Sequence, residues 1–465
     1  MDSFIEDLED ESGQGFTEDE TENMSAPNAM NAPVVGIYLP SLPRHFRRPM
    51  FVTHEPSEFY KSKENCLRCI QDALLQSQWQ RAAELMVSYL EMLESTNVCR
   101  QQEASEVIWR IGTEIVQQHP QSNIDETNQF AERMKNLGVK KYLRGSLEHA
   151  FHLLCNGFLE EAYQNLFLAE SWRYGELTVI QEKERKLIQG YRGLLDYYKW
   201  LKKKTDMLEL GEFLPSEINV FSFTAEDSYA GTSVQQEMHR LYQQAKASLK
   251  EIIKIPGVWD PFVICYVDLL EHYEEYEEAR EILYEYAYNS RFPSNPNAHI
   301  FLYQFLKRRG EPRKTQISVL QILHELVPSH ELMLEFYIML SKSRKNKHHE
   351  LRLKVIFAVL DFAGWKENVK AWNCLAKQIV EILQNSDTQL DWLKKEWSAR
   401  KDWWPAFHFS LYLAKRNWQE NESLAYSKYF KYIMQQGYKV MKKKIIPLKK
   451  FVKEHSWVSL RLSDI

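Results

Sequence analysis

Apolar side chains recur along this chain at the spacing of one helix face, and the stripes come in pairs. Cys66, Cys69, Ile70, Ala73 and Leu74 stand at i, i+3, i+4, i+7 and i+8. After a short gap, Ala82, Met86, Tyr89, Leu90 and Leu93 form a second stripe. Two amphipathic helices on a short link have one economical arrangement, an antiparallel hairpin. The unit recurs. Leu147, Ala150, Phe151 and Leu154 precede Asn156-Gly157, and Leu159, Ala162, Tyr163 and Leu166 follow it. Both flanks carry the 3.6 period, so this Asn-Gly pair predicts a helix-helix turn and not a β-hairpin. Val263, Tyr266, Val267 and Leu270 pair in the same way with Ala279, Ile282, Leu283, Tyr286 and Ala287. Later stripes centre on Leu302 and Phe305, on Ile322 and Leu323, on Phe336 and Leu340, and on Ile356 and Val359. A loose period in the thirties is the mark of tetratricopeptide-like arrays. The expected fold class is all-α: degenerate TPR-like helical-hairpin repeats, an α-solenoid. Only 16 Gly and 16 Pro occur in 465 residues, which suits long helical content.

The pattern does not cover the whole chain. Residues 1–55 read as a disordered leader. Ten acidic residues from Asp2 to Glu22 meet no Lys or Arg before Arg44. Pro27, Pro33, Pro40, Pro43, Pro49 and Pro56 then keep the backbone extended. An N-terminal helical lobe is expected over 56–204. The period lapses between Thr205 and Val234, where Gly211, Pro215 and Gly231 punctuate polar residues, so a linker is expected over 205–240. A C-terminal repeat lobe follows over 241–438, and then a basic tail over 439–465.

Several chemistries lack their parts. Six cysteines are too sparse for a disulfide framework. Cys66-x-x-Cys69 has metal-ligand spacing but no second pair, and both sulfurs are expected on the buried face of a helix. His348-His349 lacks the i, i+4 spacing of zinc proteases and reads as a loop or a helix start. No phosphate loop of the GxxxxGK[ST] form and no GxSxG elbow is present. No catalytic residue, cofactor or metal is therefore assigned. The first ten residues are acidic and have neither the basic nor the apolar region of a signal peptide. The longest apolar run, Val355 to Trp365, is cut by Asp361, so no membrane partner is expected.

Three segments could meet a partner or an enzyme. Lys439, Lys442, Lys443, Lys444, Lys449, Lys450 and Lys453 cluster around Pro447, interleaved with Ile445, Ile446, Leu448, Phe451 and Val452. Such a cluster neutralises phosphates without reading sequence, or serves as a nuclear-import signal, or is a solvated helix face. Arg400-Lys-Asp-Trp-Trp-Pro405 mixes cations with aromatics that could stack on bases. Packing of the Trp pair between helices, with Pro405 in a first turn, is the preferred reading. Thr17, followed by Glu18-Asp19-Glu20, suits an acidophilic kinase.

Longer words in the chain resemble one family. They are Lys254-Ile-Pro-Gly-Val-Trp-Asp-Pro-Phe-Val263, Phe292-Pro-Ser-Asn-Pro-Asn-Ala-His-Ile-Phe-Leu-Tyr303 and Lys401-Asp-Trp-Trp-Pro-Ala-Phe-His-Phe-Ser410. Arg133-Met-Lys-Asn-Leu-Gly-Val139, Val327-Pro-Ser-His-Glu-Leu-Met-Leu-Glu-Phe336 and Val359-Leu-Asp-Phe-Ala-Gly364 are similar to it as well. The family is the A subunit of the TATA-box-binding-protein-associated factors specific to RNA polymerase I. The resemblance implies a scaffold subunit of the promoter selectivity factor for ribosomal RNA genes. It implies as partners the TATA-box-binding protein, sister subunits, the RNA polymerase I initiation machinery and, through the complex, the ribosomal DNA promoter. It also implies a nuclear, nucleolar location. The family carries no catalytic residues to transfer. A scaffold in RNA processing is the alternative, because Trp259, Tyr266, Glu271 and Ala279-Arg280 echo the half-TPR pattern.

Overall fold

The computed structural model describes residues 58–94, 96, 98–135, 141–173, 175–212, 225–342, 346–385 and 387–455. Among these residues no strand occurs. The acidic and proline-rich leader and Thr17 lie outside them. The chain divides into two compact units, Met1–Phe130 and Ala131–Ile465.

Unit 1 contains α1 (Glu58–Leu75), α2 (Trp79–Glu94) and α3 (Val98–Gln118), and it ends within α4 (Ile124–Lys135). Ile70, Ala73, Ala82, Met86, Tyr89 and Leu93 are buried together with Val107, Ile111 and Ile115. Leu90, counted with this stripe from sequence, lies at the surface.

Unit 2 continues with α5 (Tyr142–Cys155), α6 (Leu159–Ser171), α7 (Val179–Glu212) and α8 (Ala225–Ile253). A regular array follows: α9 (Asp260–His272), α10 (Tyr276–Tyr288), α11 (Pro296–Arg308), α12 (Arg313–Leu326), α13 (Leu332–Ser341) and α14 (Asn346–Leu360). The starts of α9, α11 and α13 are 36 residues apart. Equivalent positions in successive hairpins therefore meet. Arg308 pairs with Glu271 at 2.6 Å, and the Asn297 side-chain amide donates to Asp260 at 2.7 Å. The array is TPR-like, a run of antiparallel hairpins with one continuous core reaching from Trp200 to Leu448.

Four hairpins in the two units close with the same turn. In each, a backbone N–H bonds the carbonyl five residues earlier: Gln78 to Ala73, Phe158 to Leu153, Glu275 to Leu270 and Glu311 to Leu306, at 2.8–3.0 Å. That is the Schellman closure of a helix end, which requires one residue in the left-handed region. Gly157 (φ 84°) and Gly310 (φ 66°) adopt it without strain. Ser77 (φ 56°) and Glu274 (φ 60°) carry a side chain there, at a cost of roughly 1–2 kcal/mol each.

Of residues 205–240, read from sequence as a linker between two lobes, the described ones are helical. α7 runs on to Glu212 and α8 starts at Ala225. The two long helices pack along each other inside unit 2, joined by Lys186–Glu251 at 3.0 Å and Lys203–Glu237 at 2.8 Å. No apolar stripe marks this stretch because the end of α7 is exposed, with Thr205, Asp206, Met207 and Glu209 all at the surface. Closer to the core, a Cβ on Gly193 would lie 2.8 Å from that of Ser248 and 3.3 Å from the Leu249 amide nitrogen. Gly193→Ala should therefore force α7 and α8 apart. Elsewhere in a helix Gly→Ala gains about 0.5–1 kcal/mol, whereas overpacking here costs about 1–3 kcal/mol. A lowered urea midpoint is expected, and an Ala variant more stable than the parent would show that the helices can part freely.

The remaining elements are α15 (Val369–Asn385), α16 (Asp387–Arg400), the single turn α17 (Trp404–Phe407), α18 (Leu411–Glu420), α19 (Glu422–Lys428), α20 (Lys431–Met441) and α21 (Ile446–His455). Short 3-10 segments at Ala363–Trp365 and Lys442–Ile445 join their neighbours.

Candidate nucleic-acid interface on the last helices

The segment read from sequence as a basic tail is helical and docked. Ile433, Met434, Met441, Ile445 and Leu448 are buried, and Phe451 meets Trp418 of α18 edge-on at 5.9 Å. Pro447 sits at the second position of α21, where a missing N–H goes unnoticed. With the apolar side turned inward, Lys439, Lys444, Lys449, Lys450 and Lys453 are all exposed. The side chains of Lys442 and Lys443 lie outside the described set.

Lys449, Lys450 and Lys453 share one side of α21, at i, i+1 and i+4. The Lys449 ammonium lies 3.7 Å from the centre of the Tyr438 ring. Among the described residues, Lys444 alone of the five exposed lysines has a carboxylate partner, Asp402 at 3.0 Å. Among the described residues this segment carries an excess of cations, which can attract polyanions.

Asp402 belongs to the second candidate segment, which the structure splits. Arg400 is buried and forks onto Asp361, with Nε and Nη2 each at 2.7 Å from a carboxylate oxygen, and it also reaches Glu396 at 2.7 Å. Trp404 is fully buried, and its indole N–H donates to Asp361 at 2.8 Å. Trp372, Trp397, Phe357, His408 and Phe409 surround it. Pro405 occupies the first turn of α17. Packing is thus the role of Arg400, Trp404 and Pro405, whereas Trp403 remains 40% exposed.

The other candidates lie on other helices, α1 and α14. Cys66 is half-buried, with Sγ 3.5 Å from the Leu85 carbonyl, and burial raises its pKa. Cys69 is exposed, not on the buried face as its spacing suggested, because Ile70 and Ala73 take the inward positions on α1. His348 and His349 fall in the first turn of α14, and the His349 carbonyl accepts a hydrogen bond from Gln378 at 3.2 Å.

The model of the TAF RNA polymerase I family, A subunit, matches residues 72–443. The chain belongs to this family of RNA polymerase I TAF A subunits. Two relatives carry the name TATA box-binding protein-associated factor of RNA polymerase I, A subunit. The Homo sapiens protein is 44% identical over 440 residues, covering 92% of this chain and 94% of its own. The Mus musculus protein is 44% identical over 437 residues, covering 91% and 93%. Among solved structures, the apo form of RapI covers 83% of this chain and 99% of its own, at 16% identity and a TM-score of 0.33. The P58(IPK) TPR domain covers 85% and 100%, at 13% identity and a TM-score of 0.19. In this member of the TAF family, the match spans the hairpin array and ends within the lysine cluster, at Lys443.

Sequence reasoning missed two groups here. Lys428, at the end of α19, is wholly buried. It sits in a short polar segment, Asn421-Glu-Ser-Leu-Ala-Tyr-Ser-Lys428, whose stripe is too brief to reveal an inward lysine. Asp361 had a signal: it was the one charge interrupting the longest apolar run, and it anchors Arg400 and Trp404.

Proposed function

We propose that this chain is a non-catalytic scaffold subunit of a TATA-box-binding-protein-containing selectivity factor. That factor binds the ribosomal RNA gene promoter and recruits RNA polymerase I in the nucleolus. Family membership over residues 72–443 carries the reading. The hairpin array supports it, because stacked hairpins offer long faces to several partners at once. Its partners on this reading are the TATA-box-binding protein, sister subunits of the same factor and the polymerase initiation machinery. The lysines of α20, α21 and the segment between them contribute phosphate contacts to promoter binding by the whole complex.

Lysine brings a point charge rather than a planar fork, so these contacts position the duplex without reading its bases. Each neutralised phosphate adds about 0.9 to the slope of log K against log salt. Changing Lys442, Lys443, Lys444, Lys449 and Lys450 together to Ala should leave the helical circular dichroism intact. It should weaken promoter binding by the purified complex at low salt, and the salt dependence should flatten by about 0.9 for each phosphate no longer neutralised. The weakening should be equal on promoter and unrelated duplexes. An unchanged slope would remove the phosphate role and leave an import signal or a solvated face. Affinity purification tests the scaffold reading separately: co-purification with the TATA-box-binding protein is expected, and ribonucleoprotein particles in its place would favour RNA processing.

A further inference from the structure

Trp403 and Trp404 are neighbours in sequence with opposite fates. Trp404 enters the core, where Asp361 accepts its N–H. Trp403 is the N-cap of α17 and turns outward, with its ring edge-on to Trp404 at 6.2 Å and inclined to Phe407 at 5.4 Å. Two neighbours of Trp403, Phe407 and Asp402, contact cations. The Lys366 ammonium stands 5.0 Å from the centre of the Phe407 ring. Lys401, two residues before Trp403, is exposed, and Asp402 holds Lys444 at 3.0 Å. Contacts therefore link Lys366 to Phe407 and Phe407 to Trp403, and Asp402, next to Trp403 in sequence, links to Lys444. Two carboxylates lie along this strip, Asp402 paired with Lys444 and Glu367, next to Lys366, paired with Arg416.

A row of phosphate-binding cations needs no indole, because a closed duplex presents no base face to stack on it. An unpaired strand presents both phosphates and base faces, and every base has a face to stack. Trp403 packs against Trp404 and Phe407 and still leaves 40% of its surface exposed, so part of the indole is open to a ligand.

We propose that the strip centred on Trp403 binds an unpaired nucleic-acid strand, with a base stacked on the Trp403 indole and the flanking phosphates held by Lys366, Lys401 and Lys444. This deepens, and rests on, the reading of the lysine face as a phosphate contact. Stacking of one base on an aromatic ring corresponds to about a 5- to 150-fold change in affinity.

The test uses the purified complex containing the full chain and fluorescence anisotropy with labelled oligo(dT), oligo(U) and a closed duplex of equal length. Trp403→Leu keeps apolar bulk and removes the aromatic plane, and Trp403→Phe keeps a plane. The Leu variant should bind both single strands about 5- to 150-fold more weakly while its duplex affinity stays within about twofold. The Phe variant should recover part of the loss. A loss confined to oligo(dT) or to oligo(U) identifies which strand the site takes and still supports stacking. Single-strand binding unchanged in the Leu variant would overturn the proposal, as would a parallel fall for duplex and single strands. The five-lysine Ala variant separates the two readings. If it loses duplex binding while Trp403→Leu changes nothing, the phosphate face stands and the stacking site fails. If it loses neither duplex nor single strands, the underlying reading fails.

Discussion

Lys428→Met is expected to be more stable than the parent chain at pH 7, although it deletes a charge. Lys428 is wholly buried at the end of α19, and among the described residues its ammonium has no hydrogen-bond acceptor. The Trp372 ring lies 5.3 Å from the nitrogen. Burial pushes its pKa down to about 7, Lys366 and Arg416 add to the depression, and Glu367 opposes it. The neighbouring His408 is also buried and is held down to about 3, first by burial and then by Lys428. A lysine with a lowered folded pKa binds its proton more tightly when unfolded, so stability rises with pH between about 7 and 10.5. Below that window the full penalty applies, on the order of 3–5 kcal/mol from the size of the shift. Met keeps the length of the stem and needs no acceptor. The gain in urea midpoint should therefore be largest at about pH 6.5–7 and shrink steadily towards about pH 10. The buried tyrosines titrate in both proteins and cancel in the difference. A Met variant less stable at pH 7, or a gain that does not vary with pH, would show that the ammonium finds a partner in solution.

The hairpins were legible because their inward residues obey a period that only a helix satisfies. Ala279, Leu283 and Tyr286 pair with Tyr266 and Leu270 on sequence spacing alone, and all of them are buried. The turns were half legible. Asn156-Gly157 announced its left-handed residue, whereas Ser77 and Glu274 adopt the same conformation with side chains that give no hint of it. The end of α7 was illegible for a different reason: Thr205, Asp206, Met207 and Glu209 continue the helix at its surface, and an exposed helix end leaves no buried stripe to read. The lysine cluster was visible as composition. That it forms a docked helix followed from Ile445, Leu448 and Phe451, which in the sequence stand out only as interleaving. The split between Trp403 and Trp404 depends on Asp361, more than 40 residues away along the chain, and no local pattern reports a contact of that range.

Asp361→Ala is expected to be among the most destabilising single changes in unit 2. One carboxylate satisfies three donors: Nε and Nη2 of Arg400 and the indole N–H of Trp404. Burial opposes the charge on Arg400, while Asp361 and then Glu396 hold it on the guanidinium. Without Asp361, Glu396 remains as a partner on one side only, and the fork and the indole are left in a low-dielectric core. Breaking a buried pair in this way costs about 3–5 kcal/mol. Asp361→Asn should cost less, since one oxygen still accepts, but its amide donors would face the guanidinium. The penalty belongs to the stranded charge and not to the loss of an attraction, so Asp361→Leu combined with Arg400→Met should recover more than half of it. A double-mutant cycle on urea midpoints measures this. A cost below about 1 kcal/mol for Asp361→Ala, or no recovery in the double variant, would mean that water reaches the site and satisfies Arg400. The same cycle bears on binding. Trp403 is presented at the surface because Trp404 is anchored beneath it, so Asp361→Ala should weaken single-strand binding as well, and the double variant, with Trp404 still packed among Phe357, Trp372 and Trp397, should restore it in part.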